Sequence, residues 1–575
     1  MSNQEIARIF AEIADMLEIK GEQVFKIRAY RKAAEAVAAF PEPLSAFAQR
    51  DKLTAIPGVG PSIAAKIGEL LESGQCAYHQ ELMAEFSPGL IGLLRVPEVG
   101  PRTALLLYQE LGIKDVDGLE AAAREQRLRG VRGLGAKTEE NILRGIARLR
   151  ARSGNMPLAV AHPHALQIMA ALQATAPIDR IAVAGSIRRM RDLVGDIDIL
   201  VTSPDPAAVM EAVPRLEMVR EVVATGPTKT SAITTQDAEV DVRVLEPESF
   251  GAGLQYFTGS QAHSVRLREI AVKRGLKLNE YGVFCASTGE RLGGATEEEM
   301  YGALGMPLIP PEIRENTGEI ELALQGRLPL LVSENDLHGD LHVHTDWSDG
   351  RGSIERMAEA ALARGYEYLA ICDHSQSRAI ARGLSPERLQ EQRQEIARIQ
   401  ERFPNLRLLA GLECDIRRDG SLDCTDEVLA ELDVVVASVH SAFNIGEADM
   451  TERVLAAIRS PYVDIIGHPT GRIVGERDPY ALDIERVLAE AARLGVAMEI
   501  NAFPDRLDLK DAHARRAQEL GVVLAINTDA HALGHLDLVH YGVATARRGW
   551  VAPSSVLNAL PLAELLPRLH RERHA

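Results

Sequence analysis

The sequence predicts a multidomain protein that combines a helical N-terminal part, an α+β middle part and a C-terminal α/β part. Similar glycine-containing turns recur between amphipathic helical segments in residues 1–150. Strand-like segments with paired aspartates occupy residues 158–245, and seven apolar runs alternate with helical segments after residue 337. A chain of 575 residues is also too long for one hydrophobic core, so several domains are expected.

The composition is typical of a globular protein in water, with 46% hydrophobic and 25% charged residues. No apolar run reaches membrane-spanning length, and the polar N-terminal stretch MSNQEIARIFAEIADML has no signal-peptide core. The five cysteines form no CxxC pair, which favours reduced thiols over a disulfide framework. These features predict a cytoplasmic protein.

The net charge of −18 is unevenly distributed along the chain. Residues 1–155 carry 21 Lys and Arg against 20 Asp and Glu, whereas residues 336–575 carry 27 against 38. Histidine is uneven as well, because 12 of the 16 histidines lie beyond residue 336. The pattern favours polyanion binding by the N-terminal part and metal binding by the C-terminal part.

Three turns in the N-terminal part resemble one another: IPGVGPSIAAKI from Ile56, VPEVGPRTALLL from Val96 and VRGLGAKTEENI from Val131. Glycine allows close approach of the backbone, and free N–H groups at the following helix start can hold a phosphate. The turns resemble the helix-hairpin-helix motif, which grips the DNA backbone without reading sequence. Any helix corner can use glycine, and Glu98 replaces the first glycine of the second copy, so that copy is expected to be structural. The glycines predicted to contact DNA are Gly58, Gly60, Gly100, Gly133 and Gly135.

The stretch GSIRRMRDLVGDIDILV, residues 185–201, predicts a carboxylate metal site. Residues i and i+2 share a strand face, so Asp196 and Asp198 point together, and Asp241 in AEVDVRVLE is placed in the same way. Three converging carboxylates need cations, and oxygen ligands favour Mg²⁺ or Mn²⁺. Two such ions can activate an attacking hydroxyl and stabilise a leaving pyrophosphate. The alternative is a solvated edge strand with salt-bridged acids.

This stretch, together with EVDVRV and LQYFTGSQAHSVRLREIAVKRGLKLNEYGVF, resembles the palm and thumb of a family X DNA polymerase. The resemblance implies that Asp196, Asp198 and Asp241 are the catalytic metal ligands and that Arg268 contacts the template strand. Ser264, Gln261 and Glu239 depart from the residues of animal members, which leaves nucleotide discrimination and primer-end contacts open. The predicted nucleotide-binding residues are Gly185, Ser186, Arg189, Tyr256, Phe257 and Gly259.

Residues 1–82 also resemble the small 5′-phosphate-binding domain of this family. Lys26, Tyr30 and Lys32 in FKIRAYRKAA match its phosphate pocket. Lys66 matches the lysine that forms a Schiff base with an abasic sugar in lyase-active members. Ser62 replaces another lysine of the pocket, so an ordinary phosphate contact is the alternative role for Lys66.

After residue 337 almost every apolar run ends in a candidate metal ligand, as in HGDLHVHTDWSDG and YLAICDHS. Parallel α/β barrels bring such groups together at the C-terminal ends of their strands. The pattern resembles a polymerase-and-histidinol-phosphatase (PHP) domain, a distorted seven-stranded (β/α)7 barrel that holds up to three ions, and histidine with carboxylate suits Mn²⁺, Zn²⁺ or Fe²⁺. The resemblance implies nine ligands: His342, His344, Asp349, His374, Glu413, His440, His468, Asp529 and His531. Glu499 and Asn501 match no ligand, and Asp373 and His535 are expected to be outer or surface groups.

The resemblance divides the chain into six parts. They are a lyase-like helical domain (1–82), a helix-hairpin-helix region (83–155), a palm (156–245), a thumb (246–315), a linker (316–336) and a PHP barrel (337–575). It implies a monomeric repair-type DNA polymerase that fills short gaps using dNTPs. The barrel would supply 3′-5′ exonuclease and 3′-end processing, with 3′-phosphatase and AP endonuclease as further activities. The alternatives are a template-independent nucleotidyltransferase with a small-molecule phosphoesterase, and a DNA-binding scaffold with relic sites.

Overall fold

The structure is a computed structural model, and it describes residues 3–20, 22–38, 44, 53–55, 59–73, 76–85, 93, 96, 99–131, 133–152 and 155–569. Its contacts divide the chain into two compact units, Met1–Gly154 and Asn155–Ala575. The finer domain boundaries expected from the sequence stay predictions. Among the described residues, no helix is both long and apolar enough to span a bilayer.

The first unit is helical, as predicted. Its helices bury two separate apolar cores, one around Phe10, Ile13 and Leu17 and the other around Leu107 and Leu119. Amphipathic helices of this length are stabilised mainly by burying one face, which explains the apolar spacing in the sequence. The helices are α1 (Asn3–Ile19), α2 (Val24–Ala38), α3 (Pro61–Ser73), α4 (Ala77–Glu85), α5 (Pro101–Leu111), α6 (Val116–Arg124) and α7 (Ala136–Arg152).

The second unit begins with the palm region, whose sheet has the strand order β2 (Arg180–Val183), β4 (Ile197–Thr202), β7 (Glu239–Val244), β6 (Lys229–Thr234) and β5 (Val219–Thr225). β4 and β7 are parallel, and the other neighbouring pairs are antiparallel. Alternation along β4 and β7 places Ile197, Ile199, Val240 and Val242 in the core beneath the helix Leu158–Thr175. The elements are β1 (Met156–Pro157), α8 (Leu158–Thr175), β2 (Arg180–Val183), α9 (Gly185–Arg188), β3 (Leu193–Val194), β4 (Ile197–Thr202), α10 (Pro206–Ala212), β5 (Val219–Thr225), β6 (Lys229–Thr234) and β7 (Glu239–Val244).

The thumb region packs three helices around a three-stranded antiparallel sheet, and its core includes Leu267, Val283 and Tyr301. The predicted linker 316–336 is packed, since Glu319 is fully buried and contacts His263 Nδ1 at 2.7 Å. The elements are α11 (Phe250–Thr258), α12 (Gln261–Lys273), β8 (Leu276–Asn279), β9 (Gly282–Cys285), β10 (Arg291–Gly293), α13 (Glu297–Ala303) and, in the linker, α14 (Glu319–Leu324).

The C-terminal region is a seven-stranded parallel barrel with strands in sequence order, and a Val343–Ala530 bridge joins its first and last parts. This confirms the predicted alternation of apolar runs with helices. The strands are β11 (Gly339–Val343), β12 (Tyr368–Ile371), β13 (Arg407–Asp415), β14 (Val434–Ser438), β15 (Ile465–Ile466), β16 (Ala497–Asn501) and β17 (Leu524–Asn527). The helices are α15 (Ile354–Ala363), α16 (Pro386–Gln400), α17 (Asp426–Leu429), α18 (Glu447–Arg459), α19 (Ile484–Leu494), α20 (Asp511–Glu519), α21 (Val539–Arg548) and α22 (Leu562–Leu565).

Barrel side chains complete the cores of the palm and thumb regions. Leu507 and Tyr541 belong to the palm core, and Trp550 belongs to the thumb core. A polar link joins the same regions, because Arg472 Nη1 of the barrel donates to Asp192 Oδ2 of the palm at 2.9 Å. The three regions therefore fold as one unit.

Candidate active sites

Three aspartates gather at one end of the palm sheet. Asp196 is exposed immediately before β4, and Asp198 lies within it on the same face. Asp198 is in direct register with Asp241 on the parallel strand β7. The neighbouring Ile197 is fully buried, so the alternation of the strand fixes which residues face the site. The structure thus brings together the three carboxylates that the sequence singled out.

Burial and neighbouring carboxylates dominate the environment of Asp198, although Arg243 and Lys229 lie nearby. Burial, followed by the nearby charges of Asp196 and Asp241, raises the pKa of Asp198 to about 7. Burial also opposes ionisation of Asp241, but hydrogen bonds from Lys229 and Ser231 outweigh it and hold the pKa of Asp241 below its usual range. An oxygen-only group whose members resist ionising together fits divalent cations such as Mg²⁺ or Mn²⁺.

The turn before these strands requires glycine. Gly185 has φ +60°, and a Cβ at this position would lie 2.6 Å from Asp198 Oδ2. The next residue, Ser186, has a buried hydroxyl that makes no hydrogen bond to the described part of the chain. Arg188 is paired with Glu297 at 2.5 Å, so its charge is neutralised within the protein.

Arg189 connects this turn to the predicted sugar-facing segment. Its guanidinium donates to the carbonyl oxygen of Thr258, and its Nη1 lies 3.1 Å from where a Cβ on Gly259 would be. Tyr256 and Phe257 form an edge-to-face pair with ring centroids 5.1 Å apart. The predicted nucleotide-binding residues are therefore close together. The predicted template-strand contact, Arg268, is half-buried on α12.

Arg548 of the barrel and Glu315 hold Arg189 in place through hydrogen bonds. Arg189 Nε donates to Glu315 Oε1 at 3.2 Å, and Arg548 Nη1 donates to the same oxygen at 3.2 Å. Arg548 also donates to the carbonyl oxygen of Arg189 at 2.7 Å, and its other nitrogens bind Asp511. Sequence reasoning missed Glu315 and Arg548, because no local pattern connects residues so distant in the chain.

The second site lies at the C-terminal ends of the barrel strands, where all nine predicted ligands meet. Glu413 is at the centre, with a nitrogen of each of five histidines within 3.6 Å of its carboxylate. Asp529 lies 3.1 Å from His344 Nε2, and Asp349 lies 3.4 Å from His531 Nε2 nearer the mouth. The five histidines around Glu413 are His342, His344, His374, His440 and His468.

Eight of the nine predicted ligands, all but His468, form three overlapping groups, each compact enough for one ion. Burial, followed by the charge of His531, lowers the pKa of His344 to about 4, so the ring is in the neutral form that coordinates metals. Within the described residues, several buried atoms of the site make no hydrogen bond of normal geometry, although some of them lie close to a partner, and such groups are costly unless an ion is bound. These atoms are His342 Nε2, His344 Nδ1 and Nε2, His374 Nδ1, Glu413 Oε2 and His468 Nδ1.

Carboxylates outside the nine ligands orient the histidine rings. His342 Nδ1 lies 2.8 Å from Glu499 Oε1, and His440 Nδ1 lies 2.5 Å from Asp415 Oδ1. Such partners fix the tautomer and increase the basicity of the coordinating nitrogen. The sequence analysis missed Asp415, although its position two residues after Glu413 on one strand was an available signal. It also missed Arg506, whose Nε lies 3.7 Å from Asp529 Oδ2.

Asp373 and His535 lie outside the nine predicted ligands and bind backbone next to or at two of them. Asp373 accepts hydrogen bonds from the backbone of Thr345 at 2.8 Å and from Gln392 Nε2 at 2.5 Å. These bonds hold the loop that carries Asp349. His535 Nδ1 accepts from the backbone N–H of His531 at 3.2 Å.

In the first unit, predicted 5′-phosphate residues gather around Tyr78. Lys26 Nζ and Lys66 Nζ lie 5.3 and 5.0 Å from the centre of its ring, and the Tyr30 ring is stacked 6.1 Å away. Lys32 is exposed on α2. Tyr78 was not identified from the sequence, since an isolated tyrosine carries no pattern.

Three of the predicted hairpin glycines lie at helix starts. Gly60, Gly100 and Gly135 immediately precede α3, α5 and α7, and Gly133 has φ +91°. In the second and third hairpins the preceding turn closes with the same backbone bond, from Val99 N to Val96 O and from Leu134 N to Val131 O, both 3.0 Å. Gly58 and Glu98 lie outside the described residues.

Comparison with known proteins gives a consistent result. A helix-hairpin-helix domain family matches residues 1–76, and a SAM-like helix-hairpin-helix tandem family matches residues 90–148. The DNA polymerase beta thumb family matches residues 253–315, and the PHP domain family matches residues 340–503. Over 573 residues the chain is 40% identical to the DNA polymerase/3′-5′ exonuclease PolX of Bacillus subtilis (strain 168), covering 99% of this chain and 100% of that protein.

The chain belongs to the family X DNA polymerases that carry a C-terminal PHP domain. Other relatives match a smaller share of the chain. A probable phosphatase of Thermoanaerobacter sp. (strain X514) is 29% identical over 230 residues, which are 38% of this chain and 89% of that protein. A probable phosphatase of Edwardsiella ictaluri (strain 93-146) is 31% identical over 233 residues, covering 39% and 90%. The chain is therefore similar to one relative over its full length and to the two phosphatases over 38–39% of it.

Proposed function

We propose that the protein is a DNA-directed DNA polymerase that fills short gaps during repair and also removes nucleotides from 3′ ends. The observation that carries this proposal is that one folded unit contains two different candidate metal sites. The palm site offers only carboxylate oxygens, as nucleotidyl transfer requires, whereas the barrel site is rich in histidine, as in metal-dependent phosphoesterases.

In the palm, Asp196, Asp198 and Asp241 would hold two Mg²⁺ or Mn²⁺ ions. When bound, such ions supply Lewis-acid activation of the attacking 3′-hydroxyl and neutralise charge on the leaving pyrophosphate. The residues of the chain bind and orient the nucleotide. Gly185, the free hydroxyl of Ser186 and the guanidinium of Arg189 would receive the triphosphate, while Tyr256, Phe257 and Gly259 would lie against the sugar. Arg268 would contact the template strand.

In the barrel, the nine histidine and carboxylate ligands would hold up to three ions of Mn²⁺, Zn²⁺ or Fe²⁺. Such ions supply the water activation that phosphoester hydrolysis needs. Glu499 and Asp415 would keep His342 and His440 in the coordinating tautomer. The partly exposed Arg506 would meet the negative charge of the scissile phosphate. Removal of 3′-phosphates and cleavage at abasic sites are further activities that we propose for this site.

The first unit would anchor the enzyme to gapped or nicked DNA through backbone phosphates. Gly58, Gly60, Gly100, Gly133 and Gly135 would let phosphates approach the hairpin turns. Lys26, Tyr30 and Lys32 would hold the 5′-phosphate of the gap. The position of Lys66 beside Lys26 and Tyr78 supports a phosphate contact, and lyase action by Lys66 is a proposal that an abasic-site substrate would test. We expect the enzyme to act as a cytoplasmic monomer.

A gapped-duplex assay with all four dNTPs tests this function. Wild-type protein should insert the templated nucleotide, Asp198→Ala should lose insertion but retain 3′ degradation, and His344→Ala should show the reverse. Untemplated tailing by the wild type would favour the template-independent alternative. Loss of both activities in either variant would contradict two separate sites.

A further inference from the structure

Two cysteines of the barrel face each other beside the metal site. After Glu413, strand β13 turns into a short hairpin in which Ile416 is bridged to Leu422 in antiparallel fashion. Arg417 N donates to Ser421 O at 2.8 Å, and Asp423 N donates to Asp415 O at 3.1 Å. In this register the residue opposite Cys414 is Cys424.

Cys414 and Cys424 each adjoin the Asp415–Asp423 pair, which carries a backbone bond of the hairpin, and this brings their side chains together. The two sulfur atoms and a carboxylate oxygen of Asp423 lie within 4.8 Å of one another, and both cysteines are reduced. Cys414 is fully buried, whereas Cys424 is partly exposed and within reach of a small reagent.

The same three residues are poorly suited to a metal ion. Asp423 Oδ1 already accepts from Asp415 N and from Cys414 Sγ, both at 3.1 Å, and Oδ2 accepts from Ser377 N at 2.9 Å. The group also offers three ligands, whereas structural zinc sites are almost always four-coordinate. A covalent link between the sulfurs needs neither the carboxylate nor a fourth ligand.

We propose that Cys414 and Cys424 form a reversible disulfide when the folded protein meets a low-molecular-weight disulfide. The Cys424 thiolate attacks that reagent and releases one thiol, which gives a mixed disulfide on Cys424. Cys414 Sγ then attacks the Cys424 sulfur, the S–S bond to the reagent breaks, and the second thiol leaves. Two cysteines are oxidised, one reagent disulfide is reduced to two thiols, and the two cysteine protons end on those thiols.

We expect the disulfide to disturb the metal-ligand cluster of the barrel, and this consequence rests on the function proposed above. Cys414 lies between Glu413, which touches five histidines, and Asp415, which orients His440. Closing the sulfur pair to the bond length of about 2.05 Å pulls this strand end toward the hairpin. Displacing groups that orient metal ligands commonly costs about 10- to 100-fold in metal affinity or activity, so we expect a loss of that size.

The bond itself is tested by mass spectrometry on the full chain treated with oxidised glutathione, alkylated under denaturing conditions and digested. We expect a Cys414–Cys424 linked peptide in the wild type and in Cys285→Ser, and none in Cys424→Ser or after dithiothreitol. Cys285→Ser is the matched control, because Cys285 is a partly exposed thiol of the thumb region. Treated protein with only glutathione adducts, or with no link, would overturn the proposal.

The coupling is tested on the same samples by bound manganese and by 3′ degradation. Oxidation should lower both in the wild type by about 10- to 100-fold, reversibly, while Cys424→Ser and the primer-extension activity stay unchanged. A linked protein that keeps its manganese and its nuclease rate would overturn the coupling. If the reduced protein degrades no 3′ ends, the proposed nuclease fails, and the linked peptide and manganese content still decide this inference.

Discussion

Replacing Gly185 by alanine tests whether the turn before β4 positions the palm carboxylates. The new Cβ would lie 2.6 Å from Asp198 Oδ2, so this oxygen must withdraw by about 0.8 Å to reach the 3.4 Å of ordinary contact. A displacement near 1 Å at a reacting centre can cost about 100-fold in rate. Alanine at φ +60° also costs about 1–2 kcal/mol of folding stability. We therefore expect primer extension to fall about 100-fold while 3′ degradation is retained.

Gly275→Ala is the matched control, because Gly275 has φ +70° and no atom of its surroundings lies within 4 Å of where a Cβ would be. Both variants should lose about the same stability in thermal or urea unfolding, by the same backbone cost. Only Gly185→Ala should lose single-nucleotide insertion, measured on a gapped duplex under single-turnover conditions. Equal losses of insertion in the two variants, or full insertion by Gly185→Ala, would refute the positioning argument.

Three further predictions follow from other contacts. Glu499→Gln should weaken manganese binding by about 10- to 100-fold in a competition titration, because Glu499 orients His342. The exposed control Glu519→Gln should bind manganese as the wild type does, and equal affinities of the two variants would contradict the orienting role of Glu499. A gap with a 5′-phosphate should be filled faster than one with a 5′-hydroxyl, and Lys26→Ala should remove the difference, so persistence of the preference would place the pocket elsewhere. Arg548→Met removes the hydrogen bond that Arg548 donates to Arg189, so it should raise KM for dNTP about tenfold, which corresponds to about 1.4 kcal/mol, with little change in 3′ degradation. An unchanged KM would show that Arg189 does not need this contact with the barrel.

The sequence predicted the barrel well because its pattern is repetitive. Most of the strands are buried throughout and read as mainly apolar runs, and most of the ligands stand near the C-terminal end of a strand. The palm carboxylates were equally predictable, since Asp196, Asp198 and Asp241 alternate with buried aliphatic residues.

Other features could not be read from local patterns. Strands β5 and β6 were not identified, and β5 is almost entirely exposed, so it lacks the alternation of burial that marks a half-buried strand. The Arg189–Glu315–Arg548 contact joins residues separated by more than a hundred positions, and the Cys414–Cys424 pair depends on hairpin register. Such pairings arise only from tertiary packing.

The sharing of cores has a consequence for attempts to isolate the polymerase. Cutting the chain before the barrel would remove Leu507 and Tyr541 from the palm core and Trp550 from the thumb core. The apolar surface exposed by the cut would favour aggregation of the fragment. The two activities are therefore expected to be separable by point substitution but not by truncation. A shorter polymerase derived from this chain would need new polar residues wherever the barrel now covers it.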